Sequence, residues 1–460
     1  MIGSFSLAEL VPVLDGRLEG GTGGAISIGR VSTDTRRIQP GDLFVALRGE
    51  NFDAHDFVAQ AQSQGAVAAV VERLLPLAIP QLVVADTRLA LGAIAQYNRT
   101  FFAGPLIAVT GSSGKTSVKE MLATILAGAG PTLATRGNLN NDIGVPLTLF
   151  ELEQQHRYAV IEMGASGPGE IDYVSGLARP DVAVLNNAFG AHLEGFGSLE
   201  GVVRAKGEIF NGLNAGGTAV VNADDPHADT WLRQLEQRRV LSFGLERSDV
   251  DVTARDLYYQ PNGCHGFELV VGEQRAAVRL RVLGRHNVAN ALAAAAAAFA
   301  AGLDLSLIVQ GLERFEAVAG RMKPIAGVAG CRLIDDSYNA NPASVKAAID
   351  VLASLPGERV LVLGDMAELG PDAAQQHADI GAYAAAAGLD HFYATGPLCR
   401  HAVAAYCSQG GSDGQNFASR AELIGTLNTL AHAQLTLLVK GSRSAAMDQV
   451  VSGLAQGEFH

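Results

Sequence analysis

Short apolar runs that end in polar loops recur along this chain. PLIAV (105–109), YAVI (158–161), VAVL (182–185) and TAVV (218–221) have this form. Runs of this length and composition mark strands buried on both faces, as in parallel sheets. Ligands collect at the carboxyl ends of such strands. The residues found there are a glycine-rich loop, Glu162, the pair Asn186 and Asn187, and Asn222. From about residue 315 the pattern becomes a regular alternation. CRLI, RVLVL, HFYAT and LTLLV read as strands, while ASVKAAIDVLAS, PDAAQQHADIGAYAAAAG and SAAMDQVVSGL read as helices. Strand and helix in turn predict a doubly wound sheet, with DDSYNANP (335–342), GDMAELG (364–370) and KGSRS (440–444) as its functional loops. Before residue 84 lies a smaller α/β unit. It holds VSTDTRRIQPGDLFVAL (31–47), a helix-like HDFVAQAQSQG (55–65) and a strand-like AVAAVVE (66–72), and LLPLAIPQ (74–81) leads out of it.

The fold expected is therefore α/β with three domains. Residues 1–83 form a small N-terminal α/β domain. Residues 84–314 form a central P-loop ATPase-like domain with a mostly parallel sheet. Residues 315–460 form a C-terminal Rossmann-like domain. A chain of 460 residues is too long for one ordinary core, which agrees with this division.

Composition removes several function classes. A net charge of −13 with no Lys/Arg cluster argues against a general nucleic-acid binder. Cys264, Cys331, Cys399 and Cys407 form no C-x-x-C pair, so a reduced, cytoplasmic setting and no catalytic thiol are expected. MIGSFSLAELVPVLDG has no basic flank and does not read as a signal peptide. The greasiest stretch, VANALAAAAAAFAAGL (288–303), is alanine-rich and stops at Asp304; a buried helix is expected rather than membrane insertion. GRLEGGTGGAISIG (16–29) does not spell a dinucleotide fingerprint, because Ile26 stands where the third glycine belongs, and reads as a loop.

Candidate chemistry starts at VTGSSGKTS (109–117). A phosphate loop is usually G-x-x-x-x-G-K-[ST]; here Val109 occupies the first glycine position, while Gly114, Lys115 and Thr116 complete the end. An apolar strand precedes it and an amphipathic segment follows, so backbone N–H groups and the helix's positive end can still surround an anion. Lys115 would reach the β and γ phosphates, and the Thr116 hydroxyl would bind Mg²⁺. Glu162 ends the strand YAVI, as the acidic residue of a Walker-B strand does. His192 and Lys206, in NNAFGAHLEGFGSLEGVVRAKGEIF (186–210), carry no claim on their own.

Taken together the motifs resemble the Mur ligases of peptidoglycan synthesis. TGSSGKTSVKEM, GNLNNDIGVPLTL, EMGASGPGEI, LNNAFGAHLEGFGSLEGVVRAKGEI, GRHNVANALAA and DDSYNANPASVKAAI occur in that family's order and span nearly the whole chain. DDSYNANP, with no DNPR signature, is similar to the member that adds a dipeptide rather than the third peptide residue. The resemblance implies an ATP-dependent ligase, with D-alanyl-D-alanine and UDP-N-acetylmuramoyl-tripeptide as its partners. It implies that Gly111, Ser112, Ser113, Gly114, Lys115, Thr116 and Ser117 hold the ATP phosphates. Thr116 and Glu162 would bind one Mg²⁺, and His192, with Lys206 as a carbamate, a second. His286, Asn287 and Asn290 would lie near the adenine, Arg321 at the γ-phosphate, and Asp336 near the ribose and the dipeptide. Asn138, Asn141, Ser337, Tyr338, Asn339 and Asn341 would face substrates. Thr33, Asp34, Thr35, Arg36, Asp53 and His55 match the uridine end, although Ala54 stands where the family often has glycine. Domain closure, then phosphoryl transfer to the tripeptide carboxylate and attack by the dipeptide amine, would follow, in a monomer.

Two rival functions fit the motifs less well. A folylpolyglutamate synthase-like ligase is disfavoured by the long uridine-type first region. A non-enzymatic nucleotide switch would want an N-K-x-D guanine motif, which is absent.

Overall fold

Residues 1–20, 25–49, 52–190 and 193–456 are described in this computed structural model; three large sheets, one per segment of chain, carry them, and Phe5–Ser6 pairs with Ser27–Ile28 in a small two-stranded sheet. The first sheet has five strands. Arg30–Ser32, Asp42–Val45, Ala68–Val71 and Gln81–Val83 run parallel in that order, and Arg17–Glu19 adds an antiparallel edge. The edge strand lies inside the glycine-rich stretch read as a loop, whose residues 21–24 fall outside the described residues. Its three residues are at least partly exposed, so it lacks the apolar run by which buried strands are recognised.

The central sheet has nine strands. Leu106–Thr110 sits in its interior, between Tyr158–Glu162 on one side and Val182–Leu185 on the other, all parallel. The chain first builds outward to Thr132–Ala134 and Tyr158–Glu162, then reverses to Val182–Leu185, Thr218–Asn222 and Arg239–Gly244. That reversal makes the carboxyl end of Leu106–Thr110 a topological switch point, where a crevice opens between diverging loops. Three further strands, Val252–Tyr259, Cys264–Val271 and Gln274–Leu283, close the sheet as an antiparallel meander. The last of them alternates exposed and buried positions, as in VRLRVL, a different signature from the apolar runs of the parallel strands.

The alanine-rich stretch forms helix Arg285–Ala300, in which Ala291 and Ala293–Ala298 are fully buried. Small side chains let it approach the helix Lys115–Ala127 and the sheet together. Helix Leu305–Arg314 comes as close: a Cβ on Gly311 would meet the Ile125 Cα at 2.4 Å. The helix behind the glycine loop is thus fixed in a dry core. No helix among the described residues is long and apolar enough to cross a membrane.

The third sheet orders its strands Lys323–Ala326, Arg332–Asp336, Leu435–Lys440, Glu358–Gly364, His391–Thr395 and Asp413–Phe417, the first antiparallel and the rest parallel. The edge strand DGQNF (413–417) is polar and, Phe417 apart, at least partly exposed, so no apolar run announced it. Helices pack on both faces, as expected of a doubly wound domain. Helix Thr87–Thr100 joins the first two sheets. Asp86 caps it by accepting from the Arg88 and Leu89 amides (2.7 and 3.0 Å). Its Leu91 and Ile94 lie in one core with Leu43 and Val70 of the first sheet, Leu106 and Ile161 of the central one, and Leu149 of helix Gly144–Phe150.

Candidate active site

Val109 is not a defective loop residue. It lies inside the strand, fully buried and paired with Glu162 and Val184 on its two neighbours. The loop begins after Thr110 and turns into the helix at Gly114, whose φ of 77° is left-handed. A Cβ there would also meet Asn290 Oδ1 at 2.4 Å and Asn186 Nδ2 at 2.7 Å. Only glycine fits both the turn and the contact.

Asparagines hold the loop's shape. The Ser112 amide donates to the Asn187 carbonyl (3.0 Å) and the Ser113 amide to Asn187 Oδ1 (2.9 Å). Asn186 Nδ2 donates to the Ser113 carbonyl and to Asn290 Oδ1, both at 3.0 Å. Asn290 Nδ2 donates in turn to Asn287 Oδ1 (2.9 Å). Two loop amides are therefore committed within the protein. The first turn of helix Lys115–Ala127 supplies amides that no intrahelical carbonyl can take, and those face an incoming anion. Lys115 is half-buried and its Nζ donates to the Gly111 carbonyl (2.8 Å). Burial, then the neighbouring Arg321 charge, lowers its pKa against the pull of Glu162.

Glu162 is 2% exposed. Oε1 accepts from Asn140 Nδ2 (2.9 Å), while Oε2 is buried without a hydrogen-bond partner. A desolvated carboxylate oxygen with no donor is costly unless something positive joins it. Arg321 reaches over from the third segment, and its Nη2 donates to Thr116 Oγ1 (3.3 Å). Its guanidinium also lies over the Tyr338 ring at 4.1 Å. Backbone bonds fix its stem: the Gly320 amide donates to Asp335 Oδ2 (2.7 Å) and the Met322 amide to Asp336 Oδ1 (3.2 Å).

These groups border a cavity of about 850 Å³ between the central and third sheets. Ser112–Ser117, Asn138, Asn141, Glu162, His286, Asn287, Asn290, Arg321, Asp336, Tyr338, Asn339 and Asn341 all line it. Gly111 and Lys206 do not. Lys206 is 2% exposed, with its Nζ 5.4 Å from the centroid of the Phe196 ring. Burial, then the Lys115 charge, lowers its pKa to about 7. Ser337 turns inward, its Oγ donating to Asp335 Oδ1 (2.6 Å). His192 lies outside the described residues. The first-domain set also gathers away from this cavity. Asp34 caps the turn Thr35–Arg37 and pairs with Arg36 (2.8 Å), and Thr33 precedes it. His55 is buried between Asp53, bonded at its Nδ1, and the Glu72 amide, which donates to its Nε2 (2.8 Å).

The cavity also holds groups to which the sequence reading assigned no role. Asn140 supports Glu162, and Asn186 and Asn187 brace the loop. Leu369 comes from GDMAELG, and Lys440, Arg443 and Ser444 from KGSRS. Their positions at strand carboxyl ends were the available signal.

Family models match three stretches: "Mur ligase family, catalytic domain" at 27–98, "Mur ligase middle domain" at 109–298 and "Mur ligase, glutamate ligase domain" at 320–443. The chain is 48% identical over 455 residues to the UDP-N-acetylmuramoyl-tripeptide–D-alanyl-D-alanine ligase of Escherichia coli (strain K12), covering 98% of this chain and 99% of that one. The chain belongs to the Mur ligase family. Among solved Mur ligases it is similar to MurF from Acinetobacter baumannii, with 40% identity, a TM-score of 0.91 and 98% of each chain covered. MurF ligase from Thermotoga maritima in complex with ADP is 28% identical, with a TM-score of 0.84 over 92% of this chain and 96% of that one. The family expectation made on motifs therefore holds for all three segments.

Proposed function

We propose that this chain joins D-alanyl-D-alanine to UDP-N-acetylmuramoyl-tripeptide with conversion of ATP to ADP and phosphate, a step of peptidoglycan synthesis. The observation that carries the reading is the cavity shared by the glycine loop and the third domain's loops, in a chain similar along its whole length to a ligase of that name. A folylpolyglutamate synthase-like activity or a non-enzymatic switch has no comparable support.

In this reading residues 1–83 bind the uridine nucleotide through Thr33, Asp34, Thr35, Arg36, Asp53 and His55. Residues 84–314 bind ATP and residues 315–460 the incoming dipeptide. Gly111–Ser117 hold the phosphates, with His286, Asn287 and Asn290 on the adenine side and Asp336 near the ribose. Asn138, Asn141, Ser337, Tyr338, Asn339 and Asn341 serve the substrates. The tripeptide carboxylate is a poor electrophile. Attack of its oxygen on the γ-phosphorus forms an acyl phosphate and releases ADP. The dipeptide's neutral amine then attacks the acyl carbon, the C–O bond to phosphate breaks, and a proton is lost. Lys115 and Arg321 lie where charge builds on the transferred group.

Magnesium fits the site, since the partnerless Oε2 of Glu162 and the Thr116 hydroxyl offer hard oxygen donors. Bound Mg²⁺ would offset the charge on the phosphate oxygens. Lys206 suits the carbamate role assigned to it. With a pKa near 7 much of it is the neutral amine, which adds to CO₂ and loses a proton to give an N-carboxylate. That product, with His192, would hold a second Mg²⁺.

Phosphate release from ATP, measured with both substrates and with each omitted, tests the reading. Release that requires both, with a product mass equal to the sum of the two substrates less water, is expected. Release independent of the dipeptide would overturn it.

A further inference from the structure

Three cations of the third domain line the cavity: Arg321, Lys440 and Arg443. Two are committed. Lys440 Nζ donates to Asp336 Oδ2 (2.6 Å) and to the Asn339 carbonyl (2.9 Å), a buried ion pair whose charge is already met. Arg321 is turned to Thr116 of the phosphate loop. Arg443 differs: among the described residues its guanidinium has no carboxylate partner, and its contact is the Tyr338 ring at 5.6 Å.

Its loop is held on both sides. Lys440 anchors one end. Ser442 anchors the other, its amide and Oγ donating to the Asp365 carbonyl (3.0 and 2.6 Å). A rigid loop thus presents an exposed, uncompensated cation to the cavity. Tyr338 lies against both Arg321 and Arg443, so one ring separates the cation aimed at the phosphate loop from the one that is not.

The acceptor's own chemistry matches what is left over. A dipeptide whose amine must be neutral to attack retains one full charge, its terminal carboxylate. A planar guanidinium binds a carboxylate through two parallel N–H···O bonds, and that fork fixes direction as well as position. Resting on the function proposed above, we infer that Arg443 anchors the terminal carboxylate of the incoming dipeptide and so points its amine toward the acyl carbon. Other anions reach the cavity, the phosphates and the carboxylates of the tripeptide; the alternative for Arg443 tested below is a phosphate oxygen of ATP or of the acyl phosphate.

The test compares wild type, Arg443→Gln and Arg443→Lys with D-alanyl-D-alanine and with its C-terminal carboxamide. Wild-type ligation of the free dipeptide is the first arm; its absence overturns the functional reading and this inference with it. Given that activity, Arg443→Gln should raise the dipeptide KM roughly 10²-fold, with the KM for ATP little changed. Arg443→Lys should recover part of the loss, since it restores charge without the fork. Wild type should discriminate against the carboxamide by a similar factor, and Arg443→Gln should scarcely discriminate. An unchanged dipeptide KM, or a variant that still rejects the carboxamide as strongly as wild type does, would overturn the anchor. A raised KM for ATP with an unaltered dipeptide KM would assign Arg443 to phosphate instead.

Discussion

The two walls of the cavity are built differently. The central wall is a local device: one strand, one glycine turn and one helix start within Leu106–Ala127, trimmed by neighbouring asparagines. The third-domain wall is assembled from loops far apart in sequence, each held by a bond to another. Asp336 holds Lys440, Asp365 holds Ser442, and the buried His377 holds Met366 by accepting its amide at Nε2 (3.0 Å). The difference teaches where each function can be disturbed. On the proposed function the central wall should fail at a residue set against nucleotide, whereas the third wall can fail at a residue that touches no substrate.

The largest losses are expected in the central domain. Lys206→Ala should abolish ligation in a protein that stays folded, and acetate should partly restore it by filling the vacated anionic place. Unchanged turnover, with acetate inert, would leave Lys206 a plain buried side chain. Lys115→Ala should cost roughly 10²–10³ in turnover, the usual effect of removing one preorganised charge partner. Near wild-type turnover would remove Lys115 from the phosphate site.

Gly114→Ala should break the central wall without touching the other. A left-handed alanine costs about 1–2 kcal/mol, and its methyl would push on Asn290 and Asn186. Nucleotide affinity, read by calorimetry, should fall. Full retention of ATP binding would show that the asparagine brace is dispensable.

His377→Leu is the matching test of the third wall. His377 is fully buried, and its Nδ1 lies 2.7 Å from the Ala373 carbonyl. Burial, ahead of its other influences, lowers its pKa, so the neutral form that can accept the Met366 amide is favoured. Leaving that amide unpaired should cost about 1–3 kcal/mol of stability. The dipeptide KM should rise while ATP binding stays intact. Loss of ATP binding instead would mean that the walls are not separable.

The smallest effect concerns the far end of the third sheet. His391 lies between Asp413 (2.7 Å) and Glu358 (2.6 Å). Burial works against its charge, but the two carboxylates prevail and raise its pKa above 6.5. A raised pKa gives stability that is complete below the unfolded value and is lost as pH climbs through the folded one. Urea unfolding should therefore show falling stability from pH 6.5 upward, and His391→Gln should flatten that slope. An equal slope in the variant would assign it to other groups.

How much could be read beforehand follows the same division. Leu106–Thr110, Tyr158–Glu162 and Val182–Leu185 are apolar runs buried on both faces, so their ends and the loop after each were visible one segment at a time. The doubly wound third sheet was visible for the same reason. The outer strands of the meander, Val252–Tyr259 and Gln274–Leu283, and the edge strand Asp413–Phe417 were not, because their partly exposed residues dilute the apolar pattern. Asn187 looked like one polar residue after a strand. Its role as brace for Ser112 and Ser113 depends on a neighbouring strand 70-odd positions away, which local reading does not reach. Ser337 stood within a motif whose neighbours face the cavity, yet its side chain is drawn inward by Asp335.

The central claim is that both walls act on one phosphoryl group, which passes from nucleotide to the tripeptide carboxylate. A heavy-oxygen label placed in that carboxylate follows it directly. If an acyl phosphate forms and the dipeptide amine displaces phosphate, each phosphate released carries one labelled oxygen, and one remains in the new amide. Unlabelled phosphate formed alongside ligated product would contradict the account, because the carboxylate oxygen would never have been bonded to phosphorus.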